Sequence, residues 1–325
     1  MTFDLKTALK YLLLFSLGVG ILYLAFRGQD LRSLWQEIKS ADYFWVLTSM
    51  AAVLVAHILR ALRWQLLYQS MKYNVGIVNI YHAVMIGYLA NLALPRFGEI
   101  GRCSVIHKTN KVPMFVSIGT VITERLFDMG VLLGSAVCIT FFQYNKLSSF
   151  FHKILLENIR HRFDQVSYWW FLAAFLILTL LGGFGFYLLR QKVGRKLLKL
   201  FISLRQGFSS YRKLKRKGIF WLYTLSIWFF YILSMYFCFS ALQSTAHLGL
   251  SVAATAIVFS GFAMAAPVQG GIGVFHWMVA QSLVLSAVSF TDGLAYAAII
   301  HSSQVLLILV LGSLSLFPVL TKKQI

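Results

Sequence analysis

Long apolar stretches alternate with short polar ones along this chain, and most of them are long enough to cross a membrane as a helix. Six membrane spans are predicted, at residues 7–26, 43–68, 114–142, 167–189, 218–242 and 293–318. The stretch 28–42 carries apolar residues at helical spacing, which predicts a short amphipathic helix on the membrane surface. The pattern therefore predicts an all-α, polytopic integral membrane protein.

Two further apolar segments, residues 75–94 and 250–266, each end at a proline instead of in a polar loop. The motifs that begin at Pro95 and Pro267 share the pattern P-x-x-G-x-I-G. Proline interrupts a helix and glycine permits a sharp change of backbone direction. We therefore predict two broken, re-entrant helical hairpins that carry these motifs at their tips.

Lysine and arginine are distributed unevenly between the predicted loops. The segment 190–217 holds eleven of them and no acid, with apolar residues at helical spacing, which predicts a basic amphipathic helix on a cytoplasmic, anionic lipid surface. With both hairpins re-entrant, the predicted cytoplasmic segments hold eighteen basic residues and the outer loops seven. Both chain termini are then cytoplasmic.

This topology divides a single transmembrane domain, residues 1–325, into two copies of one unit. Each unit has two spans, a broken re-entrant hairpin and one more span, at about residues 1–143 and 167–318. The two copies are inverted with respect to the membrane. Inverted repeats with broken helices are typical of transporters, whose binding sites lie where the breaks meet.

Composition agrees with a membrane protein, since 59% of the residues are hydrophobic and 12% are charged. The net charge of +20 could indicate nucleic acid, but the basic residues lie between spans, so we expect lipid headgroups and no nucleic acid. The three cysteines have no spacing that indicates a disulfide or a metal site. No hydrolase, metalloprotease or phosphate-loop motif occurs, and we expect no cofactor and no catalytic residue.

Ionisable residues concentrate around the first motif, although charge within membrane-forming sequence is costly. The candidate substrate-binding residues of this half are Asn91, Arg96, Glu99, Arg102, Glu124, Arg125 and Asp128. Arginine is suited to bidentate phosphate binding, and a half-helix that begins at the break directs its free N–H groups at an anion. From the second hairpin the candidates are Gly270, Gly271 and Gly273, which let backbone approach a ligand, and His276.

Structural interpretations of the same residues remain open. The charges around Glu124 and Asp128 could simply neutralise one another, and the glycines could serve helix packing. His276 and His301 are expected to be interior polar residues rather than metal ligands. Arg60 and Arg63 are expected to extend to the interface, where Trp64 and Tyr68 would belong to an aromatic belt. For each of these residues, the sequence leaves open whether its role is structural or functional.

The motifs together resemble the flippase-like membrane family typified by the membrane region of lysylphosphatidylglycerol synthase. The resemblance rests on the segments 91–102, 124–128 and 270–275 and on Arg60, Arg63 and Trp64, in the same order as in the family. It implies a protein of the bacterial cytoplasmic membrane that moves a phospholipid, often charged or aminoacylated, between leaflets. The family's aminoacyltransferase domain would follow the last span, and its activity is expected to be absent here. His276 stands where the family often has Glu.

The predicted function is therefore transport of a phosphate-containing lipid between leaflets, without enzymatic activity. Two alternatives remain. One is a membrane-embedded transferase that uses a lipid-phosphate donor, and the other is a non-transporting partner of a lipid-modifying enzyme. The sequence also leaves open whether the partner protein is a second copy of this chain or such an enzyme.

Overall fold

The computed structural model describes residues 31–94, 96–144, 210–266 and 268–321, together with six positions between 16 and 24. Its helices are α1 (Leu31–Ser40), α2 (Tyr43–Ser70), α3 (Ile77–Ala93), α4 (Phe97–Asn110), α5 (Met114–Phe142), α6 (Lys217–Phe239), α7 (Leu250–Ala265), α8 (Val274–Val284) and α9 (Phe290–Thr321). The predicted span 167–189, most of the span 7–26, the basic residues 190–209, and Pro95 and Pro267 lie outside the described residues.

Helix length separates the spans from the hairpin arms. Among the described residues, four helices, α2, α5, α6 and α9, are long and apolar enough to cross a membrane, which confirms an all-α polytopic membrane protein. The arms α3 and α7 have 17 and 16 residues. At 1.5 Å per residue an arm of this length extends about 25 Å, less than the roughly 30 Å of a bilayer core. Helix α1 confirms the predicted helical connector.

Both predicted helix breaks are present. α3 ends at Ala93 and α4 begins four residues later, after Arg96 in the left-handed conformation with a φ of 62°. α7 ends at Ala265, and the chain reaches α8 through a short 3₁₀ turn in which Gly270 has a φ of 58°. Backbone of this kind is tolerated at membrane depth only where protein or water surrounds it. The two breaks therefore mark an enclosed or hydrated region.

Equivalent helices of the two halves pack against each other. α2 lies along α6. The Oγ atoms of Ser49 and Ser234 are 2.9 Å apart, and Arg63 Nη1 donates to Thr224 Oγ1 at 3.2 Å. Because residue numbers rise along α2 as they fall along α6, the pair is antiparallel. Antiparallel packing of equivalent spans is what an inverted repeat requires.

The outer contacts of the two halves also match. α3 packs on α9, where His82 Nδ1 lies 3.1 Å from Ser315 Oγ. α7 packs on α5, where Gln143 Nε2 donates to Thr255 Oγ1 at 3.0 Å. Gln143 and Ser315 are 172 residues apart, the same separation as the two motifs, and Thr255 is one residue from the counterpart of His82. The repeat boundaries themselves stay predictions, since parts of both repeats lie outside the described residues.

Trp64 and Tyr68 lie in the core. The prediction that they belong to an aromatic belt is therefore wrong. Both are fully buried between α2 and α5. Trp64 Nε1 donates to Thr120 Oγ1 and Tyr68 OH to Ser117 Oγ, each at 2.9 Å. Large aromatic rings with one polar atom suit a buried site when a hydroxyl accepts their hydrogen bond. The small polar residues of α5 supply these acceptors, which the pattern of α2 alone does not reveal.

One end of the bundle is strongly basic. Exposed residues at this end include Lys72, Lys108 and Lys111, together with the five basic residues of 212–217. No acid lies at this end among the residues that the structure describes, whereas Asp42 begins α2 at the opposite end. Excess positive charge is typical of the cytoplasmic side. The membrane orientation of the chain stays a prediction.

Candidate functional site

Five charged side chains meet inside the bundle and form a buried cluster. Glu124 Oε1 is 2.9 Å from Arg60 Nη1 and 3.2 Å from Arg63 Nη2. Its second oxygen is 3.0 Å from Arg102 Nη1. Asp128 pairs with Arg63 at 2.7 Å and with Arg60 at 3.2 Å. All five residues are at least nine-tenths buried, so the pairing takes place out of contact with solvent.

The buried cluster holds more positive than negative charge, with three guanidinium groups facing two carboxylates. Within the buried cluster, three guanidinium nitrogens have no hydrogen-bond partner among the described residues, namely Arg60 Nε, Arg63 Nε and Arg102 Nη2. Burying a charge is costly unless it is paired and hydrogen-bonded. The cluster therefore has unused capacity to bind an anion.

The prediction that Arg60 and Arg63 extend to the interface is wrong. Their exposed fractions are 6% and 0%, because both point from α2 towards the carboxylates of α5. A signal for this was present in the spacing. Arg60 and Arg63 are three residues apart and Glu124 and Asp128 are four apart, so each pair occupies a single helix face. Two complementary pairs in separate apolar helices indicate pairing more strongly than extension to the interface.

A narrow cleft leads from the surface to the buried cluster. It is lined by Val84, Gly87, Tyr88, Asn91, Gly98, Glu99, Arg102 and Arg125. At its mouth Arg125 Nε lies 2.8 Å from Glu99 Oε1, and both side chains are about two-fifths exposed. Asn91 Oδ1 accepts a hydrogen bond from the Gly98 amide at 2.7 Å and so caps the start of α4. The cleft brings together three of the predicted site residues besides Arg102, namely Asn91, Glu99 and Arg125.

The two hairpin tips contact each other through a reciprocal pair of hydrogen bonds, here called the tip clasp. Arg96 Nη2 donates to the carbonyl oxygen of Ala265 at 2.9 Å. Gln269 Nε2 donates to the carbonyl oxygen of Ala93 at 3.1 Å. Ala93 and Ala265 are the last residues of α3 and α7 and stand 172 residues apart. Each tip thus satisfies the open carbonyl at the break of the other.

The glycines of the second hairpin shape its own turn. Gly270, Gly271 and Gly273 all have positive φ, and a side chain on Gly271 would meet the sulfur of Met264 at 2.6 Å. Gly270 approaches Leu92 of the first hairpin, and its carbonyl oxygen lies 2.8 Å from His301 Nε2. Gly270 thus brings the second hairpin against the first, whereas the predicted approach of these glycines to a ligand stays a prediction.

His276 lies behind the second tip and does not line the cleft. It is 7% exposed, and its ring centroid is 4.8 Å from that of His301. Both histidines are interior, as predicted. Within the described ranges no group of three or more His, Cys, Asp or Glu residues could hold a metal ion. A substrate contact of His276 or of the tip residues stays a prediction.

Comparison with known proteins gives two matches. Residues 8–312 match the family described as the lysylphosphatidylglycerol synthase TM region. A stretch of 99 residues is 27% identical to the UPF0104 membrane protein MJ1595 of Methanocaldococcus jannaschii. That stretch covers 30% of this chain and 29% of the relative, so the likeness spans less than a third of either protein. No solved structure matches the chain.

Proposed function

Because the chain belongs to the lysylphosphatidylglycerol synthase TM region family, we propose that it moves a phosphate-containing lipid, anionic or aminoacylated, between the two leaflets of a membrane. The proposal is for a transporter and not an enzyme. It rests above all on one observation: two hairpins with arms too short to cross the bilayer core meet tip to tip beside a charged cleft. Broken helices that meet in this way are typical of transport sites.

The cleft suits a lipid whose headgroup leaves the membrane surface while its chains remain in the bilayer. Its mouth carries the half-exposed pair of Glu99 and Arg125, and its inner end carries the guanidinium of Arg102. Apolar side chains such as Ile100 and Leu126 are exposed beside this mouth. A charged headgroup would thus exchange water for fixed charges, which lowers the cost of its passage.

The tip clasp would be the part that opens. It consists of two hydrogen bonds from side chains to backbone carbonyls, which contribute about 0.5–1.5 kcal/mol for the neutral donor Gln269 and about 1.5–3 kcal/mol for the charged donor Arg96. Movement of one hairpin against the other would expose the cleft to each side in turn. We further propose a bacterial cytoplasmic membrane with both termini inside, where the basic end contacts anionic lipid.

The direct test is lipid translocation in proteoliposomes. Purified protein is reconstituted with headgroup-labelled anionic, zwitterionic and amino-acid-modified phospholipids, and external dithionite measures how much label becomes accessible. We expect protein-dependent translocation of at least one of the three lipids. An absence of translocation for all three, with or without a proton gradient, would contradict the proposal. Formation of a product from a lipid-phosphate donor would favour the transferase instead.

Locking the tip clasp is expected to stop translocation. Ala93→Cys and Gln269→Cys, in a background in which the exposed Cys138 is replaced by serine, place two thiols across the clasp. A bifunctional thiol reagent should reduce translocation to the protein-free level, and a cleavable reagent should restore it after reduction. The Ala93→Cys single variant, treated in the same way, is the control. If the cross-linked protein translocates at the untreated rate, the tips do not separate during transport.

A further inference from the structure

The guanidinium group of Arg102 lies at the inner end of the cleft and has one nitrogen without a hydrogen-bond partner among the described residues. Arg102 is 4% exposed, and its Nη1 is 3.0 Å from Glu124. Its guanidinium carbon lies 4.6 Å from the centre of the Trp64 ring, which fixes the plane of the group. Nη2 is buried and has no hydrogen-bond partner in the described part of the chain. Arg102 therefore lines the cleft, is held in place on two sides, and keeps one N–H donor without a partner among the described residues.

A second donor set converges on the same cleft. The 14-residue helix α4 begins there, and Gly98 and Glu99 of its first turn line the cleft together with Arg102. The first N–H groups of a helix have no partner within it and carry partial positive charge. The Phe97 amide donates to the carbonyl oxygen of Leu94 at 3.2 Å and the Gly98 amide to Asn91 Oδ1, which leaves the amide of Glu99 as the donor of this turn. The cleft as a whole has room for about one water-sized oxygen atom.

The second half of the chain has no charge at two positions equivalent to those of the buried cluster. Tyr296 and Met235 stand 172 residues after Glu124 and Arg63. Where the first half has an ion pair, Tyr296 OH donates to the carbonyl oxygen of Met235 at 2.8 Å in a fully buried, uncharged contact. Uncharged packing often replaces a buried ion pair without loss of stability. The third guanidinium group of the buried cluster, which has no carboxylate of its own, is therefore available for ligand binding.

We propose that the inner end of the cleft is a phosphate subsite, in which Arg102 Nη2 and the first turn of α4 bind one oxygen of a phosphodiester. Arg60 and Arg63 are positioning residues, because they hold Glu124 and thereby orient Arg102. The counterpart of Arg102 in the second half is Val274, so within the described residues this donor belongs to the first half. This inference rests on the proposed transport of a phosphate-containing lipid and identifies the group that binds its phosphate.

The test is calorimetric binding to the full chain in dodecyl maltoside, a detergent without phosphate. The probes are dihexanoylphosphatidylglycerol, inorganic phosphate and dihexanoylglycerol, which lacks the phosphate. Arg102→Lys keeps a cation beside Glu124 but removes the second nitrogen, and Lys108→Gln, at an exposed position of the same helix, is the matched control. We expect Arg102→Lys to weaken binding of the phosphatidylglycerol about tenfold or more, since a charge-assisted hydrogen bond is lost. Lys108→Gln should bind as the wild type.

Each outcome bears on the subsite. Wild-type affinity in a folded Arg102→Lys variant, or equal binding of dihexanoylglycerol, overturns it, and so does the absence of binding by any probe. If wild-type proteoliposomes still translocate phosphatidylglycerol in those cases, the proposed function stands and only the subsite is wrong. If inorganic phosphate binds through Arg102 but the lipid neither binds nor competes, the site takes a free anion and the phosphodiester subsite is overturned, while the translocation assay decides the proposed function separately.

Discussion

Replacing Glu124 with alanine is expected to lower the free energy of unfolding by about 3–5 kcal/mol, because it leaves buried charges without a partner. Glu124 is fully buried and lies within 3.2 Å of Arg60, Arg63 and Arg102. Without it, the three guanidinium groups would share the single carboxylate of Asp128. The loss would then reflect repulsion and missing solvation among the arginines more than the strength of any one pair.

The matched control is Glu99→Ala at the mouth of the same cleft. Glu99 and Arg125 form an ion pair of similar length, 2.8 Å, but both side chains are about two-fifths exposed. A solvent-exposed pair contributes roughly 0–1 kcal/mol. Both variants can be compared by reversible unfolding in mixed detergent micelles. Equal losses would show that burial of Glu124 does not set its contribution, and that water reaches the buried cluster.

The sequence predicts the membrane elements well because their cause is local. The length of an apolar stretch decides whether a helix can cross the bilayer, and α2, α5, α6 and α9 follow that rule. The breaks follow from chain stereochemistry, since the glycine-rich tip of the second hairpin takes left-handed backbone at Gly270, Gly271 and Gly273. The equal spacing of the two motifs also predicts which helices are equivalent.

The partners of each charge could not be predicted from the sequence, because partner choice depends on which helix faces which. Arg96 Nη2 donates to the carbonyl oxygen of Ala265 across the tip clasp, a contact that the sequence does not predict. That acceptor exists only because the second hairpin ends α7 beside it. Likewise, the helical period places Arg60 and Arg63 on one face of α2, but only the packing of α5 shows that this face is interior. Residue spacing fixes a face, and tertiary contacts decide its surroundings.

Gly98→Ala is the second change for which we expect a large effect, namely loss of translocation and a decrease in stability of about 3 kcal/mol. A Cβ at this position would collide with the carbonyl oxygen of Gly87 and lie 2.7 Å from the side-chain amide of Asn91. Neither obstacle can move freely, since one is helix backbone and the other caps α4. The arms of the first hairpin would have to separate, which displaces Arg102 from the cleft.

Gly101→Ala is a stringent control, because it changes the other glycine of the same motif on the same helix. Its Cβ would meet the Ala90 methyl group at 3.6 Å, an ordinary contact, and alanine in a helix interior is favoured over glycine by about 0.5–1 kcal/mol. Gly101→Ala should therefore keep translocation and be at least as stable as the wild type, whereas Gly98→Ala should lose both translocation and stability. If Gly98→Ala behaves like Gly101→Ala, the close contact between α3 and α4 does not position the cleft, and Arg102 must be held by the buried cluster alone.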